Sequence, residues 1–151
     1  MKLEEFLTQN RIAYQPLSHP PVYTSQALAA ADHISGHCVA KPVLVRGDTG
    51  FTLCVLPASS HLNVTRVGQV LRDEHLRLAT EAELSNVCPE CELGAEPPIG
   101  PLFGLRTLMD ESLHDEEYLV FQAGSHTRSV KVRREDYERV ANPMVDAIAY
   151  R

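Results

Sequence analysis

Apolar positions recur along this chain with two periods, and each change of period marks a new element. Leu3, Phe6 and Leu7 stand at i, i+3 and i+4, the spacing of an amphipathic helix over residues 2–10. Tyr14 to Leu17 reads as a short strand. Ser18-His19-Pro20-Pro21 cannot be helical, since prolines restrict themselves and their predecessors. Thr24 or Ser25 then caps an alanine-rich helix from Gln26 to Ile34, which Gly36 can end in a left-handed conformation. Branched residues dominate from His37 to Arg46, and a strand is expected there. Side chains alternate in a strand, so Val39, Lys41, Val43 and Val45 share one face. Pro42 cannot donate a ladder hydrogen bond, which places it on an edge or at a bulge. Gly47-Asp48-Thr49-Gly50 is a turn, and Phe51 to Leu56 returns antiparallel.

Beyond the turn Pro57 to Ser60, the positions Val64, Val67, Val70 and Leu71 have helical spacing over Asn63 to Leu71. Leu76 to Leu78 is a short strand. Thr80-Glu81-Ala82-Glu83 fits a capping box opening a helix to Asn86. Prolines and glycines crowd residues 87–104, a loop long enough to be functional. Strands are expected at Arg106–Met109, Tyr118–Ala123 and Thr127–Arg133. A last helix runs from Arg134 to Val140 and stops at Asn142-Pro143. Helices and strands interleave with several antiparallel pairs, so the expected class is α+β with a bent mixed sheet.

Length and composition narrow the class. A chain of 151 residues with no repeat or linker suits one domain, 1–151. No apolar run is long enough to span a membrane, and the start Met1-Lys2-Leu3-Glu4-Glu5 has no apolar signal core. A cytoplasmic protein is expected. The net charge of −6 argues against a protein built to coat DNA or RNA. A basic set at Arg128, Lys131, Arg133, Arg134 and Arg139 reads first as a solvated face. Cys38 and Cys54 read as small core residues. Cys88-Pro-Glu-Cys91 has the spacing of half a zinc site or of a redox pair, but it has no second cysteine pair and opens a loop, so reduced thiols are expected.

Candidate chemistry gathers at three places. Lys41 stands among valines, where an amine must snorkel, pair or meet a ligand. Gly94, Gly100 and Gly104 leave backbone amides uncovered in the long loop, and such amides can hold a developing oxyanion. His126 lies at a strand junction that can aim it into a cleft. There is no H-E-x-x-H and no G-x-S-x-G.

These residues resemble a family. Gly94-Ala95-Glu96-Pro97-Pro98 looks like the G-x-x-x-P loop of the YbaK and prolyl-tRNA-synthetase-associated editing family. Ala40-Lys41 resembles its strand lysine, and Ala123-Gly124-Ser125-His126-Thr127 its G-x-H segment. Ser18-His19-Pro20, Thr24-Ser25 and Val55-Leu56-Pro57-Ala58 fit the same order over the whole chain. The resemblance implies a strongly bent, mixed, largely antiparallel sheet forming a pseudo-barrel flanked by helices. It implies hydrolysis, in trans, of the ester joining a wrong amino acid to its tRNA, without metal or cofactor. By carry-over Lys41, Gly100 and His126 are catalytic. Lys41 would hold the terminal phosphate or ribose, Gly100 would offer an amide to the oxyanion, and His126 would position water or the α-amino group. Val39, Val43 and Ile99 would line a pocket for a small amino acid. His19, Thr24, Gly94, Pro98, Gly124 and Ser125 would bind substrate beside them. The implied partners are the acceptor end of a mischarged tRNA, on tRNA(Pro) or a relative, and an aminoacyl-tRNA synthetase, with no membrane and no DNA. Many proline-type members carry asparagine after the lysine, where this chain has Pro42. That departure leaves the amino-acid preference open and keeps two alternatives: a non-catalytic module binding tRNA, a synthetase or a nucleotide, and a zinc-assisted protein using Cys88, Cys91 and a histidine.

Overall fold

A computed structural model describes residues 1–151. Helix α1 (Leu3–Gln9) buries Leu3 and Leu7, the two positions that its period places inside. Strand β1 (Tyr14–Ser18) follows, then α2 (Ser25–Ala31), whose Thr24 cap accepts from the Ala27 N–H at 3.0 Å. The left-handed residue after α2 is His33 (φ 55°), not Gly36, so the helix ends earlier than expected. The hairpin of β2 (Ala40–Gly47) and β3 (Gly50–Pro57) closes through a turn in which Gly50 has φ 112°.

Strand β4 (His61–Leu62), α3 (Val64–Leu71), β5 (Arg77–Leu78) and α4 (Glu81–Val87) come next. The capping box at α4 is present, with Thr80 and Glu83 each accepting from the other's backbone. After the long loop and a 3-10 turn at Gly100–Phe103 come β6 (Arg106–Asp110), β7 (Tyr118–Ser125), β8 (Arg128–Arg133) and α5 (Arg134–Ala141). Two short strands not expected from the sequence end the chain, β9 (Met144–Asp146) and β10 (Ala149–Tyr150).

The strands form three sheets, ordered β1-β8-β7, β10-β4 and β5-β2-β3-β6-β9. The β3–β6 and β6–β9 pairs are parallel and the other ladders antiparallel. The α+β class stands, and the sheets do not close into a barrel. The two larger sheets meet only at the Val39–Val120 bridge, so the strands never close a ring.

The main core joins both sheets to α1 and α5, with Ala40, Val55, Ile99, Met109, Phe121 and Tyr137 at its centre. A second cluster packs α2 on Val39, Val120 and Ala58. A third holds α3 against Val45, Cys54 and Leu108. Strand β2 and the residue before it therefore feed three cores: Ala40 goes to the first, Val39 to the second and Val45 to the third.

Candidate functional site

Strand β3 occupies one edge of β2 along its whole length. On the other edge β2 meets β7 only at Val39, where the Val120 N–H donates to the Cys38 carbonyl at 3.0 Å. It meets β5 only at Val45 and Arg46. Residues 40–43 between them have no strand partner on that side. Pro42 sits in this gap, where a missing N–H orphans nothing.

The long loop faces the gap and is tied to the end of β7. The Glu92 N–H donates to the Gly124 carbonyl at 2.9 Å, and the Gly124 N–H to the Ala95 carbonyl at 2.8 Å. Gly94 and Gly124 both have φ of 89°, which side chains rarely adopt. Residues 95–100 are buried. A cavity of about 220 Å³ remains between loop and strand, walled by Pro42, Val43, Leu44, Leu78, Ala79 and Leu84, with Gly94 and Glu96 on the loop side.

His126 lies against this loop. Strand β7 has a bulge between Gln122 and Ser125, which turns the next side chain inward. His126 is 8% exposed. Its Nδ1 lies 2.9 Å from the Val22 carbonyl, and the Gln122 side-chain amide donates to the same oxygen at 3.2 Å. A carbonyl only accepts, so Nδ1 carries the hydrogen, and Nε2 keeps a free lone pair when the ring is neutral. Nε2 lies 4.0 Å from the exposed Glu92 carboxylate. The Tyr23 ring is tilted over the imidazole at 4.7 Å. A side chain at position 94 would begin 3.7 Å from His126 Cε1, so His126, Gly94 and Gly124 are brought together. Ser125 accepts from the Thr127 N–H within the same bulge. The His19 N–H donates to the Thr127 carbonyl, which brings that early segment alongside, and His19 Nε2 is buried without a partner.

Other expected site residues take different places. The half-buried Lys41 amine donates to the Ser60 carbonyl at 2.6 Å, and burial lowers its pKa from the ordinary lysine value. The Gly100 amide, expected to face an oxyanion, is already engaged. Its N–H donates to Thr107 Oγ1 at 2.9 Å inside the protein. A Cβ there would lie 2.4 Å from that oxygen and 2.5 Å from the Leu105 carbonyl oxygen. The position needs glycine for space. Val39 and Ile99 do not line the small cavity. Each is fully buried, in separate cores, and only Val43 of the expected trio borders it. The Pro98 carbonyl accepts from the buried Tyr137 hydroxyl, which ties the loop to α5. Thr24 is occupied as the α2 cap.

Cys88 and Cys91 are joined in a disulfide, not the reduced thiols expected, and in this state neither is a zinc ligand. The Cys91 sulfur would lie 3.8 Å from a Cβ at Gly124. Elsewhere, ligand atoms of Asp48, Asp73 and His75 lie within 4.8 Å of one another. Their mutual contacts account for them: Asp73 accepts from the Asp48 and His75 N–H groups, and the His75 ring lies 2.7 Å from Asp48.

Sequence reasoning overlooked Glu96. It is 3% exposed, and both carboxylate oxygens accept from the Gly94 N–H, at 2.9 and 3.0 Å. Burial pushes its carboxyl above the ordinary glutamate value, against the opposing pull of that N–H and of His126. Nothing in the sequence separates it from Glu90 and Glu92 of the same loop, which are exposed.

Three comparisons bear on this arrangement. The crystal structure of hypothetical protein APE2540 superimposes with a TM-score of 0.88 at 18% identity, covering 99% of this chain and 100% of that one. A putative trans-editing enzyme for prolyl tRNA synthetase gives 0.85 at 17% identity, over 99% of this chain and 95% of that one. A putative signal transduction protein from Marinobacter aquaeolei gives 0.77 at 18% identity, over 99% of this chain and 30% of that one. At such identities the likeness shows a shared fold. No curated protein sequence is a significant match. The sequence model of the aminoacyl-tRNA editing domain, however, matches residues 19–140. That span contains Lys41, the Gly94–Pro98 loop and His126, and it places the chain in the aminoacyl-tRNA editing domain family.

Proposed function

We propose that this protein is a trans-editing hydrolase of the cytoplasm that deacylates tRNA carrying a wrong, small amino acid, on tRNA(Pro) or a related tRNA. The observation that carries this reading is the small, mostly apolar cavity at the gap in β2, walled on one side by the family's loop, whose Gly94 lies against His126. Such a cavity suits a small aliphatic side chain. Apolar pockets separate near-isosteres only about tenfold to a few hundredfold, which is why a separate editing step is useful.

The chemistry is an ester hydrolysis. Water attacks the carbonyl carbon, its proton leaves, and the ribose oxygen departs with a proton to give free amino acid and uncharged tRNA. His126 Nε2 accepts the water proton and returns it to the ribose oxygen, with Nδ1 steadied by the Val22 carbonyl. Lys41 exchanges the Ser60 carbonyl for the phosphate or ribose of the terminal adenosine. Gly100 holds the loop in place and offers no hydrogen bond to the substrate. An aminoacyl ester is already activated, so these contributions suffice. A synthetase partner supplies the grip on RNA that a chain of net charge −6 lacks.

The test is amino-acid release from a panel of mischarged tRNAs. Wild type releases a small amino acid. His126→Ala lowers kcat by about a hundredfold or more, and Lys41→Ala weakens deacylation of the same substrate. Unchanged rates in both variants would remove the assigned roles. A second reading, a module that binds tRNA, a synthetase or a nucleotide without catalysis, is favoured by one observation: the Lys41 amine is already bonded to Ser60. Tight tRNA binding with no release from any member of the panel would establish it.

A further inference from the structure

The Glu96 carboxylate has no part in the proton transfers above, yet it occupies the interior of the site. It borders the cavity of about 220 Å³ and is the one charged side chain among the eight residues lining it. Both its oxygens share the Gly94 N–H. None of the ion pairs in the protein joins it to a lysine or arginine, and the only charged side chain that acts on it is His126, without a hydrogen bond between them. An ionised carboxylate can accept about four hydrogen bonds, so most of its capacity is open. Burying a carboxylate in this way is costly unless a cation meets it. The wall opposite is apolar, formed by Pro42, Leu44, Leu78, Ala79 and Leu84.

We propose that Glu96 binds the α-ammonium group of the aminoacyl ester, while the amino-acid side chain occupies the apolar part of the cavity. This rests on the deacylase reading. The α-carbon of the substrate carries an ammonium group, a side chain and the ester carbonyl. Fixing the first two orients the third, and orientation of a reacting carbonyl is a large part of catalysis. Placing the ammonium on Glu96 sets the carbonyl beside Gly94 and His126, which touch the same loop. It also gives the site a way to tell an aminoacyl ester from a peptidyl or N-blocked ester, whose nitrogen carries no charge.

The experiment compares alanyl-tRNA with N-acetyl-alanyl-tRNA, using wild type and Glu96→Gln. Glutamine keeps the size of the side chain and an acceptor for the Gly94 N–H, but loses the charge. Wild type is expected to prefer the free amine by about tenfold or more in kcat/KM, the scale of one charged hydrogen bond. E96Q is expected to lose that preference mainly through a higher KM for the free amine. If Glu96 only staples the loop, both substrates slow equally in E96Q and their ratio stays at the wild-type value, which overturns the proposal. Equal rates on the two substrates in wild type also overturn it. A second arm needs no catalysis: L-alaninamide and propionamide, which lacks the amine, are titrated into wild type and followed by NMR shifts at Gly94 and Glu96. Binding of the amine-bearing amide alone supports the proposal even if no tRNA is hydrolysed, in which case the deacylase reading fails by itself. Hydrolysis without any preference for the amine has the reverse meaning. If E96Q does not fold, the wild-type comparison of the two esters and of the two amides still decides.

Discussion

Replacing Gly100 by alanine separates a structural glycine from a catalytic amide. The added Cβ would lie 2.4 Å from Thr107 Oγ1, 2.5 Å from the Leu105 carbonyl oxygen and 2.9 Å from the Arg106 carbonyl carbon. Two of these atoms are backbone and cannot swing aside, so the 3-10 turn or the start of β6 must shift. Overpacking of this kind costs about 1–3 kcal/mol. The shift also breaks the bond from the Gly100 N–H to Thr107 at a buried position, which adds about 1–3 kcal/mol. The sum is about 2–6 kcal/mol, a large part of a stability that for ordinary domains is about 5–15 kcal/mol. Urea unfolding reads it directly. With a slope of about 1–3 kcal/mol per molar urea, the midpoint falls by about 2 M. Thr107→Val provides the control, since it removes the acceptor without adding bulk and costs only the second contribution. A Gly100→Ala protein with the wild-type midpoint but no deacylation would refute the reasoning and return the amide to the oxyanion.

Two other perturbations probe how the loop is held. Tyr137→Phe removes the donor on the Pro98 carbonyl; the orphaned acceptor costs about 1–3 kcal/mol and lowers the melting temperature by about 3–9 °C for a chain of this size. An unchanged melting temperature would show that water or another group takes over. Under denaturing, non-reducing conditions the protein presents two free thiols, Cys38 and Cys54, rather than four. The double replacement Cys88→Ser with Cys91→Ser costs about 2 kcal/mol for so short a loop, and four titratable thiols in the native protein would contradict the pairing.

Much of the fold was readable because its signals are local. Leu3, Phe6 and Leu7 report a helix, Thr80 and Glu83 report a cap, and the Gly47–Gly50 turn reports a hairpin, each within a few residues. The last two strands had no such signal. They are two or three residues long, follow the stop at Asn142-Pro143, and are placed by contacts far along the chain: the Ile148 and Ala149 N–H groups both donate to the Asp110 carboxylate, at 2.9 and 3.0 Å. The candidate site was legible only as segments within the span the family model matches, because Lys41, the Gly94–Pro98 loop and His126 are recognisable in order. Its atomic assignments were not. Whether the Gly100 amide looks into a cleft or at Thr107 depends on where β6 returns. Glu96 reads in the sequence as one more solvated charge in an acidic chain, and only the tuck of the loop beneath β2 removes it from water.

Pro42 has an effect reaching beyond the cavity it borders. When the loop facing it lifts away, an unpaired strand edge invites any extended segment to zip onto it, whether from a neighbouring molecule or from a partly unfolded copy. A proline midway along that edge denies the intruder one rung and bends its approach. The residue that borders the cavity therefore also disfavours edge-to-edge pairing, and an amide-bearing replacement would restore the missing rung.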